Sequence, residues 1–382
     1  MPIARAQRTT APRDTPQRRR RLVGIAVALG LLCLVGPWKT GAQSSSFVTG
    51  YDVPGSPSAV AAESPSRIWF TLPAEEAIGQ LDIAGDGTPT VLTHPAGEGC
   101  APSDLAVVDS AVWWICTSGE AIARRDAATG ETRAYPLSRR ITVPLVQAGP
   151  TGAADAVATP DSGTAPHLAI LPSRPNEVWF TLPAAGIIGR LTVSDDLATS
   201  MVSHYAVPGD LPEPNDIAVQ DALRVWLTVP NQSRIYQFRV GTSMFYPVST
   251  DIGSRPWSIT AEGGSPWFTD IAGGRVGNWN PSTLSIVVWH SLPQASSRPY
   301  DMAVQAGYVW FSEEAGQRLG RTDAVRFRAV EETGLPGAAP SPQGISVDSS
   351  GAVWAAAPGA NQLLAWRPPY LQRLYISLVA TP

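Results

Sequence analysis

The chain has 382 residues, of which 44% are hydrophobic and only 16% are charged, so a highly charged disordered protein is excluded. Its 36 prolines and 34 glycines favour many short strands joined by tight turns over long helices. The net charge is −4, but basic residues concentrate at the N-terminus, and the acidic remainder lacks the basic clusters that nucleic-acid binding needs.

Residues 1–42 have the pattern of a targeting segment. Eight basic residues against one acid accompany an apolar run from Leu22 to Gly36, and small residues follow up to Ala42. This order is typical of an export signal peptide. A helix of that run would extend about 23 Å, short of the roughly 30 Å hydrocarbon core of a bilayer. We therefore expect an extracytoplasmic protein cleaved near Ala42, with an uncleaved membrane anchor as the alternative.

A repeat occupies the chain from residue 43 to residue 368. Each copy begins with a proline, and a tryptophan follows 11 to 13 residues later. Successive tryptophans are 41 to 47 residues apart, apart from one interval of 66. Periods of this size match the four-stranded blade of a β-propeller. The seven copies begin at Pro57, Pro102, Pro166, Pro214, Pro256, Pro299 and Pro342, and their tryptophans are Trp69, Trp113, Trp179, Trp226, Trp267, Trp310 and Trp354.

The strand pattern inside each copy predicts an all-β fold. In the sixth copy, strands are expected at 301–305, 308–312 and 317–321, and the third copy shows the fourth, outer strand at 202–207. Residues 47–55 repeat the ending of such an outer strand with no inner strands before them. We therefore predict a seven-bladed β-propeller of four-stranded antiparallel blades, in which the N-terminal strand completes the last blade and removes an open sheet edge.

Two segments stand apart from the repeat. Residues 138–165, between the second and third blades, are rich in Ala, Gly, Pro and Thr and predict a flexible surface insertion. Residues 369–382 include the apolar run 374–379, which predicts a strand-like tail. That tail would either compete for the edge of the last blade or serve as a sorting signal, and the sequence leaves both open.

Cys100 and Cys116 are the two cysteines that follow the targeting segment. An exported protein can keep a disulfide, and a hairpin turning near Asp109 and Ser110 would bring the two residues together if it contained a bulge. We expect them to pair, and two buried thiols are the alternative. The four histidines are too dispersed for a zinc site, and His204 and His290 are expected to be solvated on outer strands.

The recurring string Val-Trp-Phe-Thr followed by Ile-Gly-Arg, seen in residues 177–190 and as a variant in 308–321, resembles the virginiamycin B lyase (streptogramin lyase) family. The resemblance covers residues 50–368 and implies the propeller fold. It also implies a Mg²⁺-dependent C–O lyase that opens a depsipeptide ring by elimination. In that family's pattern, histidine follows the repeat proline in two late blades, and a metal-binding carboxylate lies just beyond the Trp-Phe-Thr string.

This chain departs from that pattern. Among the seven residues after the repeat prolines, the one histidine is His167, and carboxylates beyond the tryptophan string occur only at Asp270 and Glu313. The last blade has Gln343 and Ala357 where the resemblance implies a histidine and a carboxylate. We therefore expect a binding module with degenerate catalytic residues. The alternative is a Mg²⁺-dependent lyase acting on a depsipeptide or another ester, with His167 as the catalytic base and Asp270 or Glu313 as metal ligands.

A polar and aromatic sector on the fifth and sixth blades is the predicted binding surface. Both blades have Arg-Pro followed by an aromatic residue, which suits stacking of a small polar or aromatic ligand or a peptide. The alternative is that the arginines and carboxylates only pair across blades. We expect a monomer, with the membrane contacted only through residues 1–42. The predicted ligand-binding residues are Arg255, Trp257, Arg298, Tyr300, Asp301, Asn215 and Gln343.

Overall fold

The computed structural model describes residues 47–137, 164–261, 264–280, 285–324 and 330–368, with no side chains described for 285–288. The predicted targeting segment at 1–42, the tail at 369–382 and all but the last two residues of the predicted insertion at 138–165 lie outside these ranges. Within them, the chain forms seven four-stranded antiparallel sheets. No helix in the described ranges is both long and apolar enough to cross a bilayer.

The first strand of the chain, β1 (Val48–Asp52), belongs to the last blade, and the other strands follow in order. Blade 1 contains β2 (Val60–Ser64), β3 (Arg67–Leu72), β4 (Ala77–Ile83) and β5 (Pro89–Pro95). Blade 2 contains β6 (Pro102–Val108), β7 (Ala111–Cys116), β8 (Ala121–Asp126) and β9 (Thr132–Pro136). Blade 3 contains β10 (Leu168–Ile170), β11 (Glu177–Leu182), β12 (Ile187–Val193) and β13 (Ser200–Ala206). Blade 4 contains β14 (Ile217–Asp221), β15 (Arg224–Val229), β16 (Arg234–Arg239) and β17 (Met244–Ser249).

The remaining blades complete the ring. Blade 5 contains β18 (Pro256–Thr260), β19 (Trp267–Asp270), β20 (Arg275–Asn280) and β21 (Ser285–Ser291). Blade 6 contains β22 (Pro299–Gln305), β23 (Tyr308–Glu313), β24 (Arg318–Asp323) and β25 (Glu331–Gly334). Blade 7 contains β26 (Ile345–Val347), β27 (Val353–Ala357), β28 (Gln362–Trp366) and, on its outer edge, β1. Short 3-10 turns follow four of the second strands, at Pro73–Glu75, Pro183–Ala185, Pro230–Gln232 and Pro358–Ala360.

The first strand of every blade contacts the first strand of the next, and β2 meets β26, so the seven blades close into a ring. β1 pairs antiparallel with β28 from Val48 opposite Trp366 to Asp52 opposite Gln362. The predicted all-β seven-bladed propeller, closed by the N-terminal strand, is confirmed. Because the closure joins strands from the two ends of the repeat region, it removes the edge that an open ring would expose.

The repeat tryptophans form the packing between blades. Each is at most 3% exposed, and each packs on the hydrophobic face of the following blade. Trp179, for example, packs against Val225 and Leu227 of blade 4. Aromatic side chains bury the largest areas in a core, which explains why one tryptophan per blade recurs in the sequence.

Steric crowding explains why glycine recurs in the Ile-Gly-Arg string. Phe180 on β11 lies opposite Gly189 on β12, and a side chain at Gly189 would collide with the phenylalanine ring. The same collision would occur between Phe311 and Gly320 in blade 6. The arginine that follows Gly189 lies over the Trp179 ring at 5.6 Å. The string that marks the repeat therefore serves packing.

The structure joins Cys100 and Cys116 in a disulfide. A register shift between Pro102 and Asp104 supplies the bulge that the hairpin needs, since Pro102 lies opposite Cys116. The histidines of the outer strands differ from expectation. His204 and His290 are 5% and 7% exposed, because each packs against an aromatic ring of its own blade, and this burial lowers the pKa of both.

Candidate functional site

A cavity of about 210 Å³ lies at the mouth of the ring, where the first strands of the blades begin. All seven blades contribute the residue after the repeat proline to its lining. These residues converge because every first strand starts at the same end of the ring, a position that the sequence repeat fixes for all blades at once. The seven are Ser58, Ser103, His167, Asn215, Trp257, Tyr300 and Gln343.

Three aspartates line the same cavity one residue further along the chain, at Asp104, Asp216 and Asp301. Each accepts the backbone N–H of the residue that follows it, at 2.7 to 2.8 Å. Each also accepts a backbone N–H from the next blade, at 2.7 to 2.9 Å. The aspartates therefore connect blade 2 to 3, blade 4 to 5 and blade 6 to 7.

Sequence reasoning named Asp301 but missed Asp104 and Asp216. The signal was present as a repeated Pro-X-Asp in the second, fourth and sixth copies. Comparing the second residue after each proline across the copies would have found it. These carboxylates set the charge of the mouth.

His167 lies among these carboxylates. Its Nδ1 is 3.4 Å from Asp104 Oδ2 and 3.9 Å from Asp216 Oδ1. Burial acts to lower the pKa of His167, but the hydrogen bond to Asp104 and the charges of the three aspartates raise it to about 9. The ring is therefore an imidazolium at neutral pH, and it offsets part of the negative charge at the mouth.

The pKa values of Asp216 and Asp301 are both raised. Burial, reinforced by the neighbouring Asp216, raises the pKa of Asp301 to about 7. Burial also raises the pKa of Asp216, although the charge of His167 opposes the shift. The mouth thus holds carboxylates whose charge is not fully compensated, and a buried carboxylate with a raised pKa is a common feature of functional sites.

Trp257 and Tyr300 form the aromatic wall of the cavity. Their ring centroids are 5.8 Å apart with an interplanar angle of 52°. Trp257 is 7% exposed and Tyr300 is half-buried. Burial, together with the charges of Glu314 and Asp301, raises the pKa of the Tyr300 hydroxyl to about 12, so it stays protonated. Both rings line the cavity, as the sequence predicts for a stacking surface.

The two arginines of the predicted sector do not line the cavity. Arg298 forms an ion pair with Glu314 at 3.2 Å, and Gln343 Nε2 donates to the other Glu314 oxygen at 3.4 Å. Arg255 is exposed, and its backbone N–H donates to Asp270 Oδ1 at 2.8 Å. The arginines of the predicted sector therefore contact carboxylates of their own blades, and the hydrogen bond from Gln343 to Glu314 joins blade 7 to blade 6 beside the cavity.

Asp270 and Glu313 are also absent from the cavity lining. Both are fully buried. Asp270 Oδ1 accepts the N–H groups of Arg255, Ala272 and Gly273, and its Oδ2 accepts from Arg275 Nε at 3.0 Å. Burial raises the pKa of Glu313 to about 7, which disfavours its charged form.

This donor set does not fit Mg²⁺, which requires several oxygen ligands in near-octahedral geometry. The oxygens of Asp270 already accept hydrogen bonds, and a cation there would face the Arg275 guanidinium. Across the described ranges, no three His, Cys, Asp or Glu side chains are grouped closely enough to hold a metal ion. The expected metal role of Asp270 and Glu313 gains no support from their positions.

Residues 145–364 match the Virginiamycin B lyase family. No curated protein matches the chain. A solved structure described as a streptogramin B lyase is 19% identical, with a TM-score of 0.67 over 84% of this chain and 97% of that one. The virginiamycin B lyase from Staphylococcus aureus is 20% identical, with a TM-score of 0.65 over 83% and 98%.

A third solved structure, YCF48 bound to D1 peptide, is 13% identical, with a TM-score of 0.60 over 89% of this chain and 99% of that one. At these identities the solved structures show a shared fold. The family match is of a different kind, because it spans more than half of the sequence and includes the blades that supply most of the mouth. The chain belongs to the Virginiamycin B lyase family.

Proposed function

We propose that this protein is an extracytoplasmic binding module that uses the mouth of the propeller for a ligand and has lost the family's elimination chemistry. One observation carries the proposal. Each of the seven blades contributes a residue to a single cavity, and the wall of that cavity includes the aromatic pair Trp257 and Tyr300. Concave sites with aromatic walls and a few convergent polar groups are the usual form of ligand sites.

The proposed loss of catalysis rests on His167. A general base must be unprotonated near the working pH, whereas the pKa of His167 is raised to about 9 by its carboxylate neighbours. The chain also has Gln343 and Ala357 where the resemblance implies acid–base groups. We further propose that binding does not depend on Mg²⁺, since the carboxylates outside the mouth already accept hydrogen bonds or are buried in a setting that favours protonation.

A peptide ligand is compatible with this proposal. The bound peptide is a property of the YCF48 structure, but it supports the idea that a propeller of this fold can receive a peptide.

The competing function is the Mg²⁺-dependent lyase, and family membership is the observation in its favour. That function needs a neutral His167 near a metal ion.

The first prediction separates the two functions. Quinupristin is the compound in a solved structure of a catalytically inactive virginiamycin B lyase from Staphylococcus aureus. Incubation with quinupristin and Mg²⁺, followed by chromatography, is expected to give no ring-opened product, because His167 is protonated and no three His, Cys, Asp or Glu side chains in the described ranges are grouped closely enough to hold a metal ion. The Staphylococcus aureus virginiamycin B lyase is the positive control. In parallel, NMR saturation transfer with the twenty N-acetyl amino-acid amides is expected to identify at least one ligand of the wild-type protein.

Binding of that ligand should be lost in the Trp257→Ala/Tyr300→Ala double variant. Tyr246→Ala is the matched control, since Tyr246 lies on the outer strand β17 and packs on Arg239 at 4.0 Å. Ring opening at a useful rate, or binding that survives in the double variant, would contradict the proposed function.

A further inference from the structure

Asn215 has a buried acceptor that nothing satisfies. The residue is 1% exposed, and its Nδ2 donates to the Trp257 carbonyl oxygen at 2.9 Å, which fixes the orientation of the amide. The Oδ1 atom accepts no hydrogen bond from any described residue. Buried polar atoms in native proteins are nearly always paired, so an orphan acceptor in a residue that lines a cavity points to a donor from a ligand. Asn215 lines the mouth.

Negative charge is in excess around this acceptor. Asp104, Asp216 and Asp301 line the same cavity, and His167 is the cationic side chain among the lining residues. His167 lies within 4 Å of Asp104 and Asp216. None of the ion pairs in the described ranges involves Asp301, whose oxygens accept from Ser258 Oγ and from the Met302 and Ile345 N–H groups. Within the described ranges, Asp301 is therefore a mouth carboxylate with no cationic side chain within 4 Å.

The aromatic wall adds a third attraction for the same type of ligand. Cations bind favourably over the faces of tryptophan and tyrosine rings, and the attraction increases when the site excludes water. Size limits the ligand further. A cavity of about 210 Å³ is smaller than the usual range for a drug-sized molecule, so it suits one side chain or head group.

We propose that the mouth binds an organic cation, an ammonium or guanidinium group, which donates to Asn215 Oδ1, pairs with Asp301 and packs against Trp257 and Tyr300. The inference rests on the proposed binding function and names its ligand class. A group with several N–H donors and a positive charge satisfies the orphan acceptor and the unpaired carboxylate together, which neither a neutral aromatic group nor an anion does.

Binding of a cation would be linked to pH through Asp301. Its pKa near 7 means that a proton must leave Asp301 for the full ion pair to form. The charged groups facing it are Asp216, Asp104 and His167, with Glu314 and Arg298 beyond Tyr300. Since His167 stays protonated from pH 5.5 to 7.5, the affinity should fall roughly tenfold on acidification across that interval as Asp301 takes up a proton.

Isothermal titration calorimetry with matched probes tests the inference on the unmodified protein. The probes are N-acetyl-arginine amide, N-acetyl-lysine amide and N-acetyl-citrulline amide, the last being a neutral near-isostere of the arginine probe. At pH 7.5 at least one cationic probe should bind tenfold or more tightly than the citrulline probe, and should weaken at pH 5.5. If neither cationic probe binds more tightly than the citrulline probe, the inference is overturned.

Variants of two lining residues test whether the cationic probe binds at the mouth. Asn215→Leu and Asp301→Asn should each weaken the cationic probe about tenfold, and Asp301→Asn should also remove the preference over citrulline. Asp86→Asn, in an exposed turn of blade 1, is the control and should leave the affinity unchanged. Because Asp301 also joins two blades, thermal melts of each variant check its folding, and the wild-type charge preference and pH dependence need no variant at all.

The source of the cation is tested by comparing the affinities of a blocked Gly-Gly-Arg-Gly-Gly peptide and of agmatine. Tighter binding of the peptide than of agmatine indicates an arginine side chain of a protein or peptide, and the reverse order indicates a small amine. If no cationic probe binds while another amino-acid amide binds through Trp257 and Tyr300, this inference fails and the proposed function stands. If nothing binds the mouth, both fail.

Discussion

His167 shows how neighbouring side chains decide the role of one residue. A histidine beside a repeat proline resembles the family's catalytic position, yet Asp104 and Asp216 convert it into a cation that helps to hold three blades together. The imidazolium and the aspartates depend on each other, since each lessens the cost of burying the others. The chemistry of the position follows from its partners and not from its place in the repeat.

This arrangement gives the second prediction, on the free energy of unfolding. The folded-state pKa of His167 is about 9, against 6.5 for an exposed histidine, so its stabilising effect is complete below pH 6.5 and is lost as the pH rises through 9. The loss should amount to at most about 3 kcal/mol. Urea unfolding between pH 7.5 and 9.5 should show a decline for the wild type that is much smaller in His167→Gln, and Asp301, which titrates near pH 7, contributes little in this window.

An equal decline in both proteins over that range would show that His167 is not the group responsible. The difference between the two proteins over this window therefore reports on His167.

At the scale of the strand, the Trp-X-Thr string, which is Trp-Phe-Thr in blade 3 and Trp-Leu-Thr in blade 4, has two separate roles in the fold. The tryptophan packs on the next blade, and the threonine hydroxyl links the two blades by hydrogen bonds. Thr228 Oγ1 accepts the Asp216 N–H at 3.0 Å and donates to the Trp257 carbonyl oxygen at 2.7 Å. Thr181 makes the equivalent donation to the Asn215 carbonyl oxygen at 2.8 Å. The string thereby fixes the backbone on which the mouth residues are carried.

The third prediction follows from that link. Thr228→Val keeps the shape of the side chain but leaves the Asp216 N–H without its acceptor and removes one of the two donors to the Trp257 carbonyl oxygen, which should cost about 2 kcal/mol. Urea unfolding measures the loss. Thr93→Val on the exposed outer strand β5 is the matched control and should change stability by less than about 0.5 kcal/mol. If the two variants lose the same amount, the hydroxyl bridge is not a source of stability.

At the scale of the molecule, the ring depends on its closure. β1 contributes a full set of pairs to β28, Tyr51 packs on Trp354 at 5.5 Å, and the Val53 N–H donates to the Asn361 carbonyl oxygen at 2.9 Å. Removing the strand exposes the edge of blade 7 and part of the core between blades 7 and 1. The closure therefore stabilises two blades that lie at opposite ends of the repeat.

The fourth prediction concerns this strand. Deleting residues 47–53 should lower the free energy of unfolding by about 3 kcal/mol or more, since it removes a packed aromatic residue as well as the edge pairing. Thermal and urea melts measure the effect, and a synthetic peptide of residues 46–55, added in excess, should restore part of the loss. An unchanged melting temperature after the deletion would show that the strand does not hold the ring.

The sequence by itself determined the number of blades, the place of the tryptophans and the closing strand, because these depend on a pattern that every copy repeats. It also indicated that the seven residues after the prolines share one position. Only the tertiary structure decided which polar side chains near the mouth are free to contact a ligand. Asp270 accepts hydrogen bonds from nearby N–H groups and from Arg275. Asp301 accepts an N–H from 44 residues away and forms no ion pair with a described residue.

The difference has a physical reason. The packing of a blade is a local property, set by residues a few positions apart that face each other across a hairpin. The character of the mouth depends on contacts between blades, such as the Leu168 N–H that reaches Asp104 across 64 residues. No spacing in the sequence specifies such a contact, and it exists only once the ring has closed and brought the first strands together around one axis.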